Sequence, residues 1–310
     1  VRISHPRAND TFDARMTPDW ALLRGDDLVP SARLSKDDKV ELVARLQFEL
    51  PKGWNGIETG WPKIGENKFR IDNPSRQFDR PTGWILAGKI GSRRAQLGDT
   101  DVTVAAPVGE GMRRMDILTL LTFVWPEAQA VFPRDPAKLL IVGANDPMWR
   151  GGLSAPNSIF FHADRPLVSE NGTSSLVHEL VHVFSRIRDT DKSDWISEGL
   201  AEYYAIELVR RAGGMSEDRY QSIRKKLVGW SKKVDSLRTD DSTGPVTARA
   251  VLLLQELDRE IRKNTDNQRS LDDVTRGLMR LDKASTKDFI EISENVMGRG
   301  SEVLDSKLLR

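Results

Sequence analysis

The sequence predicts an α+β protein in which an antiparallel β module precedes a mostly helical remainder. Three observations carry this reading. Val40, Leu42, Ala44, Leu46, Phe48 and Leu50 alternate with Glu41, Val43, Arg45, Gln47 and Glu49, the period of a half-buried strand. Around residues 107–111 the Gly- and Pro-punctuated pattern gives way to helical spacing. From Thr173 onward almost every segment carries the three-to-four residue periodicity of amphipathic helices. A chain of 310 residues exceeds what one hydrophobic core usually holds. We therefore expect an N-terminal β domain over residues 1–106 and a second domain over 107–310.

Each element follows from local signals. The strand at 40–50 is closed by Pro51-Lys52-Gly53. Further strands are expected at Lys68–Ile71, Trp84–Ile90 and Asp101–Ala105, separated by Gly and Pro. Met112–Trp125 has a helical pattern that Pro126 should end. Leu139–Val142 reads as a short buried strand, and Ser158–His162 as another, led in by Gly151-Gly152 and Pro156. Helices are expected over Ser174–Ile187, Ile196–Ala212, Ser216–Val234, Val246–Ile261, Leu271–Leu281 and Lys287–Met297. Gly213-Gly214 is a good stop for the second of these. The charged runs Arg224–Lys226 and Asp258–Lys263 fall inside helical patterns and read as solvated faces.

Composition narrows the function. Forty-seven Lys and Arg balance forty-six Asp and Glu, for a net charge of +1, so no field draws the chain to nucleic acid or an anionic membrane. No apolar run approaches the roughly 18 residues of a membrane span. Cysteine is absent, which excludes disulfide scaffolds, thiolate zinc sites and cysteine nucleophiles together.

Only four histidines are present, and two form His178-Glu179-Leu180-Val181-His182. Residues four apart on an α-helix lie on one face, one turn from each other. Both imidazoles can then reach one tetrahedral Zn²⁺. Glu179 projects near the same face, where it can take a proton from a metal-bound water as general base. Leu176, Val177, Leu180, Val181, Phe184 and Ile187 make the helix one that is buried in a core, with Thr173, Ser174 or Ser175 to cap it. The alternative is a structural helix with two hydrogen-bonded histidines, but burying these groups unpartnered costs several kcal/mol.

A zinc site of this kind needs a third protein ligand. Glu198, in Trp195-Ile196-Ser197-Glu198-Gly199-Leu200-Ala201-Glu202-Tyr203-Tyr204, is the candidate, with Ser197 expected to cap its helix. Glu202, one turn later on the same face, is placed to accept a hydrogen bond from the far nitrogen of a zinc-bound imidazole.

These two stretches resemble the gluzincin metallopeptidases, the thermolysin-like clan, and within it the glycyl-aminopeptidase-like family most closely. Phe78-Asp79-Arg80-Pro81 with Trp84-Ile85-Leu86-Ala87-Gly88 resembles the end of that family's β domain. Leu257–Arg262 and Ser270–Val274 resemble its helical half. The resemblance implies a thermolysin-like catalytic domain, a Zn²⁺ cofactor, a peptide or protein substrate, and peptide-bond hydrolysis with Glu179 as base. By resemblance, Gly151, Gly152, Leu153 and Ser154 form the glycine-rich edge strand that pairs with substrate, with His162 at its far end. The family's glutamate for the substrate N-terminus is here Ser154, which cannot offer a charge-assisted bond. The family's oxyanion-stabilising tyrosine falls at Thr247. Arg249 and Tyr220 are the candidates to replace it. The open alternatives are a weakened or inactive binding module, and an endopeptidase or amidase without aminopeptidase specificity. The resemblance and a first residue other than Met favour an exported, periplasmic bacterial protein whose leader has been removed.

Overall fold

A computed structural model of the chain describes residues 3–30, 44–71, 80–170 and 172–310. It divides into two compact units, residues 1–122 with 135–166, and residues 123–134 with 167–310.

The first unit is built of strands. They are β1 (His5–Pro6), β2 (Phe12–Met16) and β3 (Trp20–Arg24), the short α1 (Gly25–Leu28), then β4 (Ala44–Gln47), β5 (Gly56–Thr59), β6 (Lys63–Gly65), β7 (Lys68–Ile71), β8 (Trp84–Gly88), β9 (Ile90–Leu97) and β10 (Thr100–Pro107). After α2 (Arg114–Val131) come β11 (Lys138–Val142), β12 (Gly152–Ala155) and β13 (Ser158–Phe161). Three sheets result, ordered β1-β2-β3-β8-β5, β4-β7-β6 and β12-β13-β11-β10-β9. The first two are antiparallel throughout. In the third, β11 runs parallel to β10 and β13, with antiparallel strands at both edges.

Strand alternation explains the layering. Trp20, Leu22, Trp84 and Leu86 point to one side of β3 and β8 and pack with Leu140, Val142 and Phe160. Ala21, Leu23, Ile85 and Ala87 point to the other and pack with Phe69 and Ile71. A strand covered on both faces has no polar side to alternate with. That is why Trp20–Arg24 carried no period-two signal. Gly88, at φ +130°, ends β8 where an added Cβ would lie 2.3 Å from the Asp19 carbonyl oxygen. The segment expected as one strand is therefore two. Of the strand expected at 40–50, residues 44–47 form β4 and residues 40–43 lie outside the described residues, as do Phe78 and Asp79. The expected domain boundary at 106 falls near the end of β10, in a sheet that continues through β11 and β13.

Pro126 does not stop the helix: α2 runs on to Val131 with the proline inside it. An interior proline removes one hydrogen bond and crowds the carbonyl four residues back. Leu121, Val124, Trp125, Ala128 and Val131 are all buried, and this continuous apolar face outweighs the local penalty.

The second unit is helical: α3 (Ser175–Ser185), α4 (Trp195–Arg211), α5 (Glu217–Trp230), α6 (Pro245–Asn264), α7 (Leu271–Leu278), α8 (Thr286–Met297) and a final turn at Lys307–Leu309. Capping boxes at Ser270/Asp273 and Ser285/Asp288 start α7 and α8. Phe184 on α3 packs against Trp125 and Phe132, at ring-centroid distances of 5.1 and 5.8 Å, and Phe132 meets Tyr204 of α4 at 5.4 Å. Among the described residues no helix is long and apolar enough to cross a membrane.

Candidate metal centre

Helix α3 begins at Ser174, whose hydroxyl accepts the Val177 N–H at 3.3 Å. It ends at Arg186 in the left-handed region, φ 51°, with the Arg186 N–H closing onto the His182 carbonyl. Leu176, Val177, Leu180, Val181, Val183 and Phe184 are buried. Packing of these residues fixes the helix about its axis and leaves His178, Glu179 and His182 on the half-exposed side.

Helix α4 starts one turn before Glu198. Asp194, not Ser197, holds the cap position, and its carboxylate instead accepts the Ser242 N–H at 2.7 Å. Ser197 lies within the first turn, and its hydroxyl donates to Oδ2 of the Asp189 carboxylate. Sequence reading missed Asp189 because nothing local marks it; only the fold brings it to α4. Burial pushes the Asp189 carboxyl up to about 7 despite the Ser197 hydrogen bond. Gly199 allows α4 to approach α6 closely, since a Cβ there would lie 2.8 Å from the Ala250 Cβ. The backbone beside Glu198 is thereby set by a packing contact.

His178, His182 and Glu198 converge. The two Nε2 atoms lie 3.2 Å apart. Glu198 Oε2 is 3.3 Å from His178 Nε2, and Glu198 Oε1 is 3.4 Å from His182 Nε2. Ligands about 2.0–2.1 Å from a tetrahedral zinc stand roughly 3.3–3.4 Å from one another. Two imidazole nitrogens and a carboxylate at those separations fit Zn²⁺ in donor type and in spacing. Among the described residues this is the one group of three that could hold a metal ion.

Glu202 completes the arrangement, with Oε2 3.0 Å from His178 Nδ1. An Nδ1–H donated there leaves the Nε2 lone pair facing the centre. The electrostatics suit a cation. Burial alone would discharge His178, but hydrogen bonds to Glu198 and Glu202 and the nearby charge of Glu179 hold it up at about 10. Burial would raise the Glu198 carboxyl, yet the two imidazoles keep it well below the usual carboxylate range.

The other predicted residues sit at or beside β12 and on α5 and α6. Gly151 precedes β12, which Gly152, Leu153 and Ser154 help to form. This strand is the sheet edge, whereas β13 lies inside the sheet. His162 therefore follows an interior strand, a correction to the edge placement expected for it. It is fully buried, and its backbone N–H donates to the Gly151 carbonyl at 3.0 Å. Thr247 lies in the first turn of α6, and its hydroxyl donates to the Ser242 carbonyl. Arg249 follows on α6, half-buried. Tyr220 is on α5, with the Arg210 guanidinium stacked over its ring at 4.9 Å and Glu207 hydrogen-bonded to it. Glu207 is nine residues along α4 from Glu198, about 13–14 Å of helix, so the Tyr220 hydroxyl does not join the metal cluster. Tyr203 and Tyr204 are core residues, and Tyr204 donates to Asp272 at 3.0 Å.

No family model matches the chain, and no curated protein matches it. Solved structures do. An aminopeptidase N family protein from Idiomarina loihiensis superposes with a TM-score of 0.63 at 16% identity, covering 94% of this chain and 56% of that one. An M1 zinc metallopeptidase from Deinococcus radiodurans, solved as a variant bound to a Tyr-Ser-Ala substrate, gives 0.55 at 16% identity, covering 83% of this chain and 60% of that one. Leukotriene A4 hydrolase from Saccharomyces cerevisiae gives 0.58 at 18% identity over 85% of this chain and 44% of that one. The chain thus has the fold of the zinc metallopeptidases of this group and spans little more than half the length of the first of them. The gluzincin resemblance read from the sequence has its counterpart in the backbone.

Proposed function

We propose that this chain is a Zn²⁺-dependent metallopeptidase that hydrolyses peptide bonds, with His178, His182 and Glu198 as metal ligands and Glu179 as general base. The observation that carries the reading is the convergence of three side chains, whose ligand-type atoms approach one another at 3.2, 3.3 and 3.4 Å. When bound, the ion supplies Lewis-acid polarisation of a carbonyl and acidifies water. The chain's own residues do the rest. Glu202 holds the His178 ring by its Nδ1. Glu179, next to a ligand and half-exposed, accepts the proton of the attacking water and returns it to the leaving amine. The edge strand β12 offers backbone groups on one side to an extended peptide.

Metal analysis before and after chelation, with a fluorogenic peptide assay, tests this. We expect one zinc per chain and hydrolysis that stops on chelation and returns with zinc. Glu179→Gln should retain the metal and lose about 10²–10⁴ of the rate. Full activity in that variant defeats the base assignment.

One observation favours a second reading, a catalytically weakened binding module. A threonine hydroxyl has a single proton, and that of Thr247 is directed at the Ser242 carbonyl. Losing one oxyanion donor costs about 10²–10³ in rate. A panel of free and N-blocked peptides separates the readings. Cleavage of blocked peptides indicates an endopeptidase or amidase. Stoichiometric zinc without any cleavage indicates a binding module.

A further inference from the structure

The second unit contains a cavity of about 310 Å³ whose wall includes five arginines, Arg210, Arg211, Arg224, Arg259 and Arg262, from α4, α5 and α6. The charged runs at 224–226 and 258–263 keep Lys225, Lys226 and Lys263 exposed, as expected of solvated faces, while Arg224, Asp258, Arg259 and Arg262 line this concavity. Three of the guanidiniums are neutralised at close range. Arg210 pairs with Glu207 at 2.8 Å, Arg211 with Asp272 at 2.9 Å, and Arg262 with Asp258 at 2.7 Å. Arg224 reaches Glu256 only at 3.9 Å. Arg259 donates from Nε to the Gln255 carbonyl at 3.2 Å, and no carboxylate among the described residues pairs with it. One guanidinium without a counter-charge, that of the exposed Arg259, and one loosely paired, that of the half-buried Arg224, thus line a concave wall. Such a wall concentrates anions, and guanidinium binds oxyanions through paired hydrogen bonds.

A second observation points to a ligand independently. Gln255 lines the same cavity, is 6% exposed, and its Oε1 has no hydrogen-bond partner. Buried acceptors are nearly always paired. Arginine donates and cannot accept, so the wall asks for two things together: anionic oxygens for the guanidiniums and a donor for Gln255. Hydrogen phosphate meets both, because it keeps a P–OH at neutral pH. Sulfate, with no proton to give, meets only the first. The volume exceeds that of one phosphate group, which leaves room for an organic portion beside Tyr220, another lining residue.

We propose that this cavity binds a small phosphate compound bearing its own hydroxyl donor, at a site separate from the His178–His182–Glu198 cluster. The proposal does not depend on the metallopeptidase reading. Isothermal titration of the full chain with inorganic phosphate, glycerol phosphate and sulfate, at constant ionic strength in chloride, tests it. Saturable one-to-one binding of a phosphate compound is expected, with sulfate at least about tenfold weaker. Arg259→Gln should weaken phosphate binding by about tenfold or more without moving the ligand-free unfolding midpoint. Gln255→Met should fold and lose the preference for phosphate over sulfate. Tighter binding of glycerol phosphate identifies an organic ligand; tighter binding of inorganic phosphate identifies the free ion. No saturable binding, equal affinity for sulfate and phosphate, or unchanged affinity in Arg259→Gln overturns the proposal.

Discussion

Oε2 of Glu202 lies 3.0 Å from Nδ1 of His178, so a side chain of α4 orients an imidazole of α3. The contact fixes which ring nitrogen carries the proton, and hence which faces Glu198. Glu202→Gln should therefore keep the fold and weaken zinc affinity by about 10–100-fold, the usual effect of losing a carboxylate behind a ligating histidine. Competition against a chromophoric chelator measures it. Unchanged affinity would show that the ring is held by packing alone.

Loss of a ligand should be more severe. His182→Ala and Glu198→Ala each leave two of the three converging groups, too few for a tight zinc site. Equilibrium dialysis should find no stoichiometric zinc in either variant. Far-UV circular dichroism should match the parent, because both side chains are partly exposed.

Gly199 couples packing to the centre. A methyl group there would press on the Ala250 Cβ, 2.8 Å away, forcing α4 and α6 apart. Gly199→Ala should cost about 1–3 kcal/mol, as overpacking does, and should weaken zinc binding because Glu198 is the neighbouring residue. Calorimetry and the chelator assay report the two effects. A stabilised variant with intact zinc affinity would show that the helices separate freely.

Asp189 should make stability pH-dependent. Its carboxyl titrates at about 7 when folded and near 4 in the unfolded chain. The folded protein therefore holds a proton that the unfolded chain has released. This contribution is fully present below about pH 4 and falls as pH rises toward 7. Urea unfolding of chelated protein should show a shallower decline between pH 4.5 and 7.5 in Asp189→Asn than in the parent. Parallel profiles would refute the burial argument.

Pro126 is exposed within α2. Pro126→Ala restores one helical N–H and removes the ring's clash with the preceding turn. A gain of about 1–3 kcal/mol in unfolding free energy is expected from the usual cost of an interior proline. A lowered unfolding midpoint would mean that the ring itself packs.

What the sequence determined by itself was whatever a single helix or strand can encode. The spacing of His178 and His182 places both rings on one face without reference to any other segment. The pattern of Lys68–Ile71 was legible for the same reason. What only the tertiary structure decided were the relations between segments. The packing of α3 on α4 sets Glu198 and Glu202 against the imidazoles. The fold likewise brings Asp189 to Ser197 and carries α2 through Pro126 on a buried face. Five arginines from three helices line one cavity by the same means. Local periodicity records which side of an element is buried, but not which residues of another element it is buried against. That choice rests on close packing summed over the whole unit.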